Sequence, residues 1–387
     1  MPALLWLFSL VNLVIGTGAF VLGGILAPLA QALGVSVPVA GQAMTAYALS
    51  TALLAPLVLL ATGTWPRKRA LLLALLLFAA GNVLCALADS LAALLVGRVL
   101  MGLGAVFTPI AAGIAVAMVE PARRGKALAF VFLGISLSYV VGVPLGAWLG
   151  LRHGWHVPIW LIVGSCGVAL AAVAWKVPTE IRTPGASFSG AGALLLRRDV
   201  LALLLLTLLY FTAIFTVFSY IGPVLQALVP MSGERLSITL ALFGVAGVFG
   251  TLLGGAANDR FGSQRTLVVL LSVLGLTMML LPLSAGSWPA LMAVLLVWGT
   301  AGFGLMAPQQ SRLATIAPAQ APLLLSLNAS MLYLGTAGGA VVGGAMASSL
   351  GFRQLGWAGV PFVAAGLALL LLGPTLATPP TAKERTA

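Results

Sequence analysis

Few side chains in this sequence could act as an acid, a base, a nucleophile or a metal ligand. Its 387 residues include 7 acidic residues, 2 histidines and 2 cysteines. Cys85 and Cys166 lie inside long apolar runs, where we interpret them as small buried hydrophobic side chains. His153 and His156 flank a Gly-Trp pair, which is typical of a connecting loop. Because no nucleophile–base pair and no metal-ligand spacing is present, the sequence predicts no enzyme, no metal and no cofactor.

Arg98 is the charged residue whose position is most informative. It lies inside an apolar run, nine residues after Asp89, which is more than about 10 Å along a helix. If that run spans a membrane, burying the charge costs at least a few kcal/mol, which predicts a transport pathway or a fixed partner. The alternative is a side chain that snorkels to the interface. The acidic residues, by contrast, all lie in loops or at the edges of the apolar runs: Asp89, Glu120, Glu180, Asp199, Glu234, Asp259 and Glu384.

The composition identifies the elements that must position these residues. The chain is 61% hydrophobic and 7% charged, with a mean hydropathy of +1.14, whereas soluble proteins are about 45–50% apolar and about 25% charged. Its apolar runs are continuous and lack the two-residue alternation of a membrane β-barrel. The sequence therefore predicts an all-α polytopic membrane protein with twelve transmembrane helices. The predicted spans are 4–28, 38–62, 70–88, 91–118, 126–150, 156–176, 200–227, 236–257, 265–285, 288–314, 322–348 and 355–376.

The charge distribution predicts orientation and domain organisation. The net charge is +12, but the basic residues sit at the ends of spans, where they set topology, so we expect no nucleic-acid partner. With the N-terminus inside, fifteen of the 19 basic residues are cytoplasmic, three are external and Arg98 is intramembrane. This predicts a multi-pass protein of the cell (inner) membrane with both termini cytoplasmic and the first span retained. We expect an N-terminal bundle (1–176), a cytoplasmic linker (177–199) and a C-terminal bundle with a short cytoplasmic tail (200–387).

Glycine patterns repeat between the two halves with offsets of 197 to 202 residues. Two parallel six-helix repeats around a central cavity are a known transporter architecture. The same glycines could instead serve close helix packing, and both interpretations can hold. The matching sets are Gly102-x-Gly104 with Gly302-x-Gly304, Gly154-Trp155 with Gly356-Trp357, and Gly142 and Gly146 with Gly339 and Gly343.

Two basic loops occupy equivalent places, one in each half. The loop after span two contains Arg67 and Lys68, without an acidic residue. A carboxylate and an arginine beside a helix end can join helices by charge-assisted hydrogen bonds; a topology-setting loop is the alternative. The loop after span eight keeps both charges, in the pattern Gly255, Asp259, Arg260, Gly262 and Arg265.

Three further stretches lie within spans. Span four carries Arg98-x3-Gly102-x-Gly104, and span five carries Gly142-Val-Pro144-Leu-Gly146, in which Pro144 removes a backbone donor and bends the helix. Span seven ends in the stretch 215–223, where Tyr220 could face a cavity or belong to an interfacial aromatic belt.

Together these loops and stretches resemble the major facilitator superfamily, specifically its twelve-span drug–proton-antiporter branch, over about residues 4–376. The sequence is most similar to bacterial exporters of sugars, purine nucleosides or bases, and amphenicol-type drugs. The resemblance implies two six-helix bundles that alternate access to a central site, loops that latch helix ends, and proton coupling. It also implies a monomer whose partners are a small-molecule solute, protons and the lipid bilayer. One position differs: where relatives often have an acidic residue in the first span, this sequence has Ala19.

In that fold, the cavity would be lined by neutral polar and aromatic side chains together with Arg98. Any one of them could instead form a structural bond between helices. As a set they suit a neutral hydroxylated or heterocyclic solute, or an anion, better than a cation. We therefore predict efflux of a sugar, a nucleoside or base, or an amphenicol-type drug; the alternatives are an uncoupled facilitator and a broader multidrug exporter. The candidate lining residues are Asn12, Thr17, Tyr47, Tyr139, Tyr210, Gln309, Gln310, Asn328 and Tyr333.

Overall fold

The computed structural model describes residues 3–120, 123–179, 181, 191–317 and 320–372. Long apolar segments must satisfy their backbone hydrogen bonds internally in a bilayer, and the described residues accordingly form helices without any strand. The helices are α1 (Ala3–Phe20), α2 (Leu22–Ala32), α3 (Val37–Ala40), α4 (Gln42–Leu49), α5 (Ala55–Ala61), α6 (Arg67–Ala86), α7 (Leu91–Gly104), α8 (Phe107–Ala117), α9 (Arg124–Leu137), α10 (Val143–His153), α11 (His156–Lys176), α12 (Ala191–Leu195), α13 (Arg198–Phe218), α14 (Ile221–Leu228), α15 (Gly233–Phe261), α16 (Ser263–Leu280), α17 (Trp288–Gly304), α18 (Met306–Ile316), α19 (Ala321–Leu350) and α20 (Leu355–Leu372).

Twelve of these segments are long and apolar enough to cross a membrane, which confirms the predicted number. Spans two, four, five and ten combine consecutive helices: α3 to α5, α7 with α8, α9 with α10, and α17 with α18. Within the predicted linker at 177–199, residues 180 and 182–190 lie outside the described residues, and so does the tail beyond 372; Glu180 and Glu384 are among them. Arg312, one of the fifteen basic residues counted as cytoplasmic, lies in α18, four residues before that helix ends at Ile316.

The helices of spans one, four, seven and ten are each interrupted, and the interruptions fall at equivalent positions in the two halves of the sequence. The breaks fall at Val21, at 105–106, at 219–220 and at Leu305, so the two members of each pair are separated by about 200 residues. Spans two and five contain π-helical turns, Ser50–Leu54 and Ser138–Gly142. Paired interruptions in corresponding spans of two halves point to the binding region of a transporter.

The helices pack as two sets, which we call the N-terminal set (α1 to α11) and the C-terminal set (α13 to α20). The two sets meet through α2 against α14, α3 and α4 against α19, and α10 against α15, with further contacts from the π-helical turns of spans two and five and a smaller one between α9 and α15. In contrast, α5, α8 and α18 pack on helices of their own set. The two sets of helices are therefore in contact at the end of the molecule that contains α2, α3 and α14, which we call the closed end. They diverge toward α5, α8 and α18.

Candidate functional site

Arg98 lies on α7 with 1% of its surface exposed, so it does not snorkel to an interface. Its Nη1 donates to the carbonyl of Gly18 at 2.8 Å, and its Nη2 donates to that of Ala19 at 2.7 Å. Its Nε donates to the carbonyl of Ala43 at 3.0 Å. The guanidinium also lies 4.7 Å from the ring centroid of Tyr47, within the range of a cation–π interaction.

These contacts explain why α1 can break at Val21. Gly18 and Ala19 belong to the last turn of α1, whose carbonyls have no partner further along the helix. Arg98 supplies that partner, and a cation at a helix C-terminus is favourable. In the part of the chain that the structure describes, the only ion pair joins Arg197 and Asp199, so carbonyl oxygens rather than a carboxylate surround the Arg98 charge.

Tyr47 and Tyr333 face each other across the junction of the two sets. Their ring centroids are 6.3 Å apart in an edge-to-face arrangement. Tyr47 is 1% exposed, and its hydroxyl lies close to Thr51 and Tyr333 but has no hydrogen-bond partner. A buried hydroxyl without a partner is costly, so this group is available to a ligand or a water molecule.

An aromatic cluster lies at the same junction and contains Phe20, Tyr139, Phe215, Phe218 and Phe303. Tyr139 stacks on Phe20 with 5.1 Å between centroids and meets Phe303 edge-on at 5.0 Å. Phe215 and Phe218 contact Phe20 at 5.8 and 6.3 Å. Tyr139 and Phe303 remain partly exposed, whereas the other three are buried. Both helix sets thus contribute rings to one surface.

Of this cluster, sequence reasoning identified only Tyr139. Phe215 and Phe218 lie three residues apart on span seven, a span expected to line the cavity, and that spacing was the available signal. Phe20 and Phe303 could not be distinguished from ordinary apolar residues, because periodicity does not show which face of an all-apolar helix meets the other bundle.

Two matching polar networks hold three helices together in each set. In the N-terminal set, Asn12 on α1 donates to the carbonyl of Val131 on α9 at 2.9 Å and accepts from Thr108 on α8 at 2.7 Å. We call this the N-terminal clasp. It ties together spans one, four and five.

The C-terminal clasp joins the equivalent spans seven, ten and eleven. Thr207 on α13 donates to Asn328 on α19 at 2.6 Å, and Gln309 on α18 donates to Thr207 at 3.0 Å. Gln309 also donates to the carbonyl of Leu203 at 2.6 Å, and its Oε1 is buried without a partner. Asn12, Gln309 and Asn328 therefore form hydrogen bonds between helices. The Oε1 atom of Gln309 can still accept a hydrogen bond.

Three other predicted lining residues are not members of the aromatic cluster. Thr17 donates to the carbonyl of Leu13 on its own helix and faces a groove between α10 and α11. Tyr210 is buried, with its ring 4.9 Å from that of Phe211. Gln310 is exposed on α18.

Gly102 and Gly104 let α7 approach two neighbouring helices. A Cβ atom on Gly102 would lie 2.5 Å from the Cβ of Ser50, and one on Gly104 would lie 2.5 Å from the backbone nitrogen of Phe78. Both distances are shorter than a carbon contact allows, so these positions require glycine for packing.

Gly142 and Gly146 bring span five against span one. A Cβ atom would overlap Thr17 at the first position and Val21 at the second. Gly339 and Gly343 bring α19 against α13 in the same way. Pro144 lies in the first turn of α10, directly after the π-helical turn, so the backbone departs from regular α-helix at the expected place.

The two basic loops differ in what they contact. Arg67 is buried, its guanidinium donates to the carbonyl of Gly63 at 3.0 Å, and its backbone nitrogen donates to the carbonyl of Ile181 at 3.0 Å. Lys68 is partly exposed. In the second loop, Asp259 accepts from Asn258 at 3.4 Å rather than from an arginine. The remaining motif residues of that loop lie at the end of α15 and the start of α16, where Gly262 has a φ of +80°; they are Gly255, Arg260 and Arg265. The latching role of this loop stays a prediction.

Tyr220 occupies neither of its two predicted positions. It is fully buried at the closed end, and its hydroxyl donates to the carbonyl of Ala340 at 2.8 Å and lies 3.4 Å from that of Pro38. Gly41 and Gly344 leave the space that its ring and hydroxyl occupy. Tyr220 thus connects the two helix sets directly.

A chain with twelve apolar spans, two sets of helices joined at one end, and polar and aromatic side chains at their junction has the architecture of a secondary transporter. The chain belongs to the Major Facilitator Superfamily, whose family description matches residues 8–318 and 231–387.

The similar proteins include a membrane transport protein and a drug-resistance protein. The inner membrane transport protein YdhP of Escherichia coli K12 is 33% identical over 364 residues, 92% of each chain. A chloramphenicol resistance protein of Streptomyces lividans is 32% identical over 296 residues, 75% of this chain and 73% of the relative. A bacterial homologue of the human lysosomal transporter Spinster, solved in an inward-facing occupied conformation, has the same fold, with a TM-score of 0.81, 17% identity and 95% of each chain covered. The chain is thus a multi-pass inner-membrane transporter.

Proposed function

We propose that this protein is an alternating-access exporter of a small neutral or anionic solute that carries a flat ring, such as a nucleobase, a nucleoside or an amphenicol-type drug. The aromatic cluster is the observation that carries the proposal. A ring on the solute could stack on the partly exposed Tyr139 and Phe303, and the free hydroxyl of Tyr47 could bond to a polar substituent. The Streptomyces relative named for chloramphenicol resistance supports an aromatic solute of this kind.

The distribution of charge supports a neutral or anionic solute. Among the described acidic residues, Asp199 and Glu234 lie in the first turns of their helices and Asp259 lies near the end of α15. Asp89 and Glu120 lie outside the helices. A cation bound at the junction would therefore meet the positive Arg98 without a carboxylate to compensate for its lost hydration.

The predicted orientation of the termini supports a direction of transport from the cytoplasm outward. With both termini cytoplasmic, as the basic residues predict, the closed end containing Tyr220 faces outward and the diverging helices face the cytoplasm. A solute would enter from the cytoplasm, bind at the aromatic cluster and leave when the closed end separates. The glycine–proline stretch of span five, which resembles that of exporters, favours efflux over uptake.

Proton coupling belongs to the proposal, and uncoupled facilitation is the second candidate. The resemblance to drug–proton antiporters favours coupling. The observation that favours a facilitator is the environment of Arg98, where the carbonyl of Ala19 takes the place of a titratable carboxylate.

The test is efflux from proteoliposomes loaded separately with a pentose, a purine nucleoside, a purine base, an amphenicol and a cationic dye, with and without a proton gradient directed against the solute. We expect saturable efflux of at least one ring-bearing neutral solute, accelerated by the gradient. Efflux that ignores the gradient would establish the facilitator. Efflux of the cationic dye in preference to the neutral solutes would refute the assignment of solute class.

Two variants separate the binding surface from general effects on folding. Tyr139→Leu removes the ring that contacts both helix sets, and we expect the KM for the ring-bearing solute to rise about tenfold, corresponding to a lost stacking partner. Phe249→Leu is the matched control, because Phe249 is 59% exposed on an apolar stripe of α15. Equal effects in the two variants would contradict the site.

A further inference from the structure

A groove runs along the outside of the N-terminal set, between α10 and α11, with α1 at its floor. Its volume is about 170 Å³, and its walls include Thr17, Val141, Leu145, Gly146, Leu161 and Ile162. Gly142 and Gly146 also line the groove, and because neither has a side chain, span five lies directly against span one at this level.

The groove opens toward the bilayer and away from the junction of the two sets. On α10 and the π-helical turn before it, the side that meets the C-terminal set is marked by Tyr139 and Val140, whose backbones lie against Gly244. Three apolar residues of the groove walls lie on the outer surface instead. They are Val141 and Leu145 on span five and Leu161 on α11, and they are 51%, 43% and 52% exposed. Exposed apolar side chains on membrane-spanning helices contact lipid.

Its polar atoms require no ligand. The hydroxyl of Thr17 donates to the carbonyl of Leu13, and that of Ser165 donates to the carbonyl of Leu161. The groove is therefore an apolar slot whose hydroxyls are satisfied, and a hydrocarbon chain can fill it without loss of hydrogen bonds.

A positive charge lies above the groove, at the end of α10. Arg152 follows Leu145 by seven residues, which is two helical turns, so it is on the same face about 10 Å further along. It is exposed, and its guanidinium lies 5.5 Å from the ring centroid of Trp148. Arginine and tryptophan at a helix end are typical of the headgroup level of a membrane.

We propose that this groove binds one acyl chain of an anionic phospholipid whose phosphate is held by Arg152. The apolar walls and the opening to the bilayer suit an acyl chain, and the positive charge of Arg152 at the headgroup level suits an anionic headgroup. Arginine bonds phosphate oxygens through charge-assisted hydrogen bonds. This proposal is independent of which solute is transported.

The experiment measures binding of phosphatidylglycerol and of phosphatidylcholine with the same acyl chains to the purified full-length protein in detergent, by native mass spectrometry. We expect phosphatidylglycerol to bind more tightly. Arg152→Gln should weaken its binding about tenfold, since a hydrogen bond to a charged group is lost, and should weaken phosphatidylcholine less, because the choline cation of that lipid already offsets the charge of its phosphate. Leu145→Trp should fill the groove and weaken both lipids; Val141→Trp is a second groove-filling variant in case the first does not fold.

Arg235→Gln is the matched control, because Arg235 is also exposed near a helix end and lies 5.1 Å from the ring centroid of Trp288, on the C-terminal set. It should leave phosphatidylglycerol binding unchanged. An equal loss in the Arg152 and Arg235 variants, or tight binding in a folded groove-filled variant, would overturn the proposal. Equal affinity for the two lipids would overturn the role of the charge, and competition by millimolar inorganic phosphate alone would overturn the role of the acyl chain.

Discussion

Replacing Arg98 by lysine tests whether the guanidinium holds the break in span one. Lysine has the same formal charge, but its compact ammonium is more strongly hydrated than a guanidinium and costs more to bury. Its donors, however, surround a single nitrogen, whereas Arg98 bonds three carbonyls on two helices and also stacks on Tyr47. The variant therefore keeps the formal charge and removes the fork of donors that reaches both helices.

The expected loss follows from those contacts. At least one charge-assisted hydrogen bond disappears, at about 1.5–3 kcal/mol, and a desolvated cation–π contact contributes about 1 kcal/mol more. We expect the free energy of unfolding to fall by about 2.5–4 kcal/mol and the melting temperature of the purified protein to fall by several degrees. Flux in proteoliposomes should fall as well, because the break in α1 lies next to Phe20 in the aromatic cluster.

Arg235→Lys is the control for this measurement. Arg235 likewise lies over an aromatic ring, that of Trp288, but it is exposed, so its replacement should change stability by no more than about 0.5 kcal/mol. Arg98→Ala should go further and abolish transport, since the carbonyls of Gly18, Ala19 and Ala43 then all lose the donors that Arg98 provides, while membrane insertion remains intact. A lysine variant that melts and transports like the wild type would refute the capping role.

Three further perturbations address packing, the closed end and the C-terminal clasp. Gly142→Ala should destabilise the protein by about 1–3 kcal/mol, because its Cβ atom overlaps Thr17, whereas Gly164→Ala, which meets open space, should not; thermal unfolding of both variants decides. Tyr220→Phe removes the hydroxyl that bridges the two sets and should increase the population separated at that end about two- to tenfold; spin labels on α3 and α19 would measure it, and an unchanged distance distribution would contradict the bridge. Asn328→Ala removes the near acceptor of the Thr207 hydroxyl and leaves only the carbonyl of Leu203 at 3.5 Å, so it should cost about 1–3 kcal/mol; a variant as stable as wild type would show that the clasp is dispensable.

The number of spans was predictable because each apolar run is long and is bounded by charge, proline or glycine. The depth of Arg98 followed from the same boundaries. Its partners did not, since all of its hydrogen bonds to oxygen go to backbone carbonyls, which every residue has and no side-chain pattern reveals. The break at Val21 that frees two of those carbonyls also left no clear signal in a segment rich in glycine.

The polar candidates show a related limit. Asn12 and Asn328 could be recognised as unusual within apolar spans, but a single asparagine can bond to a neighbouring helix or to a solute. The structure assigns both to clasps, and the clasps repeat between the halves: Thr108 and Gln309 are 201 residues apart, and Val131 and Asn328 are 197 apart. The glycine pairs have nearly the same offsets. The repeat therefore extends from the sequence to the contacts that hold each set of helices together.

The surroundings of Arg98 restrict the ways in which transport can depend on pH. A guanidinium paired with a carboxylate can gain or lose its counter-charge when the carboxylate is protonated, and such a pair can switch between two states. The carbonyls of Gly18, Ala19 and Ala43 do not titrate, so in this conformation none of the oxygens bonded to Arg98 changes its charge with pH. Arg98 is thus suited to a fixed anchor for the broken span rather than to a proton-driven switch. Flux that responds to a proton gradient would have to take its proton from the solute itself or from a group other than an intramembrane carboxylate beside Arg98.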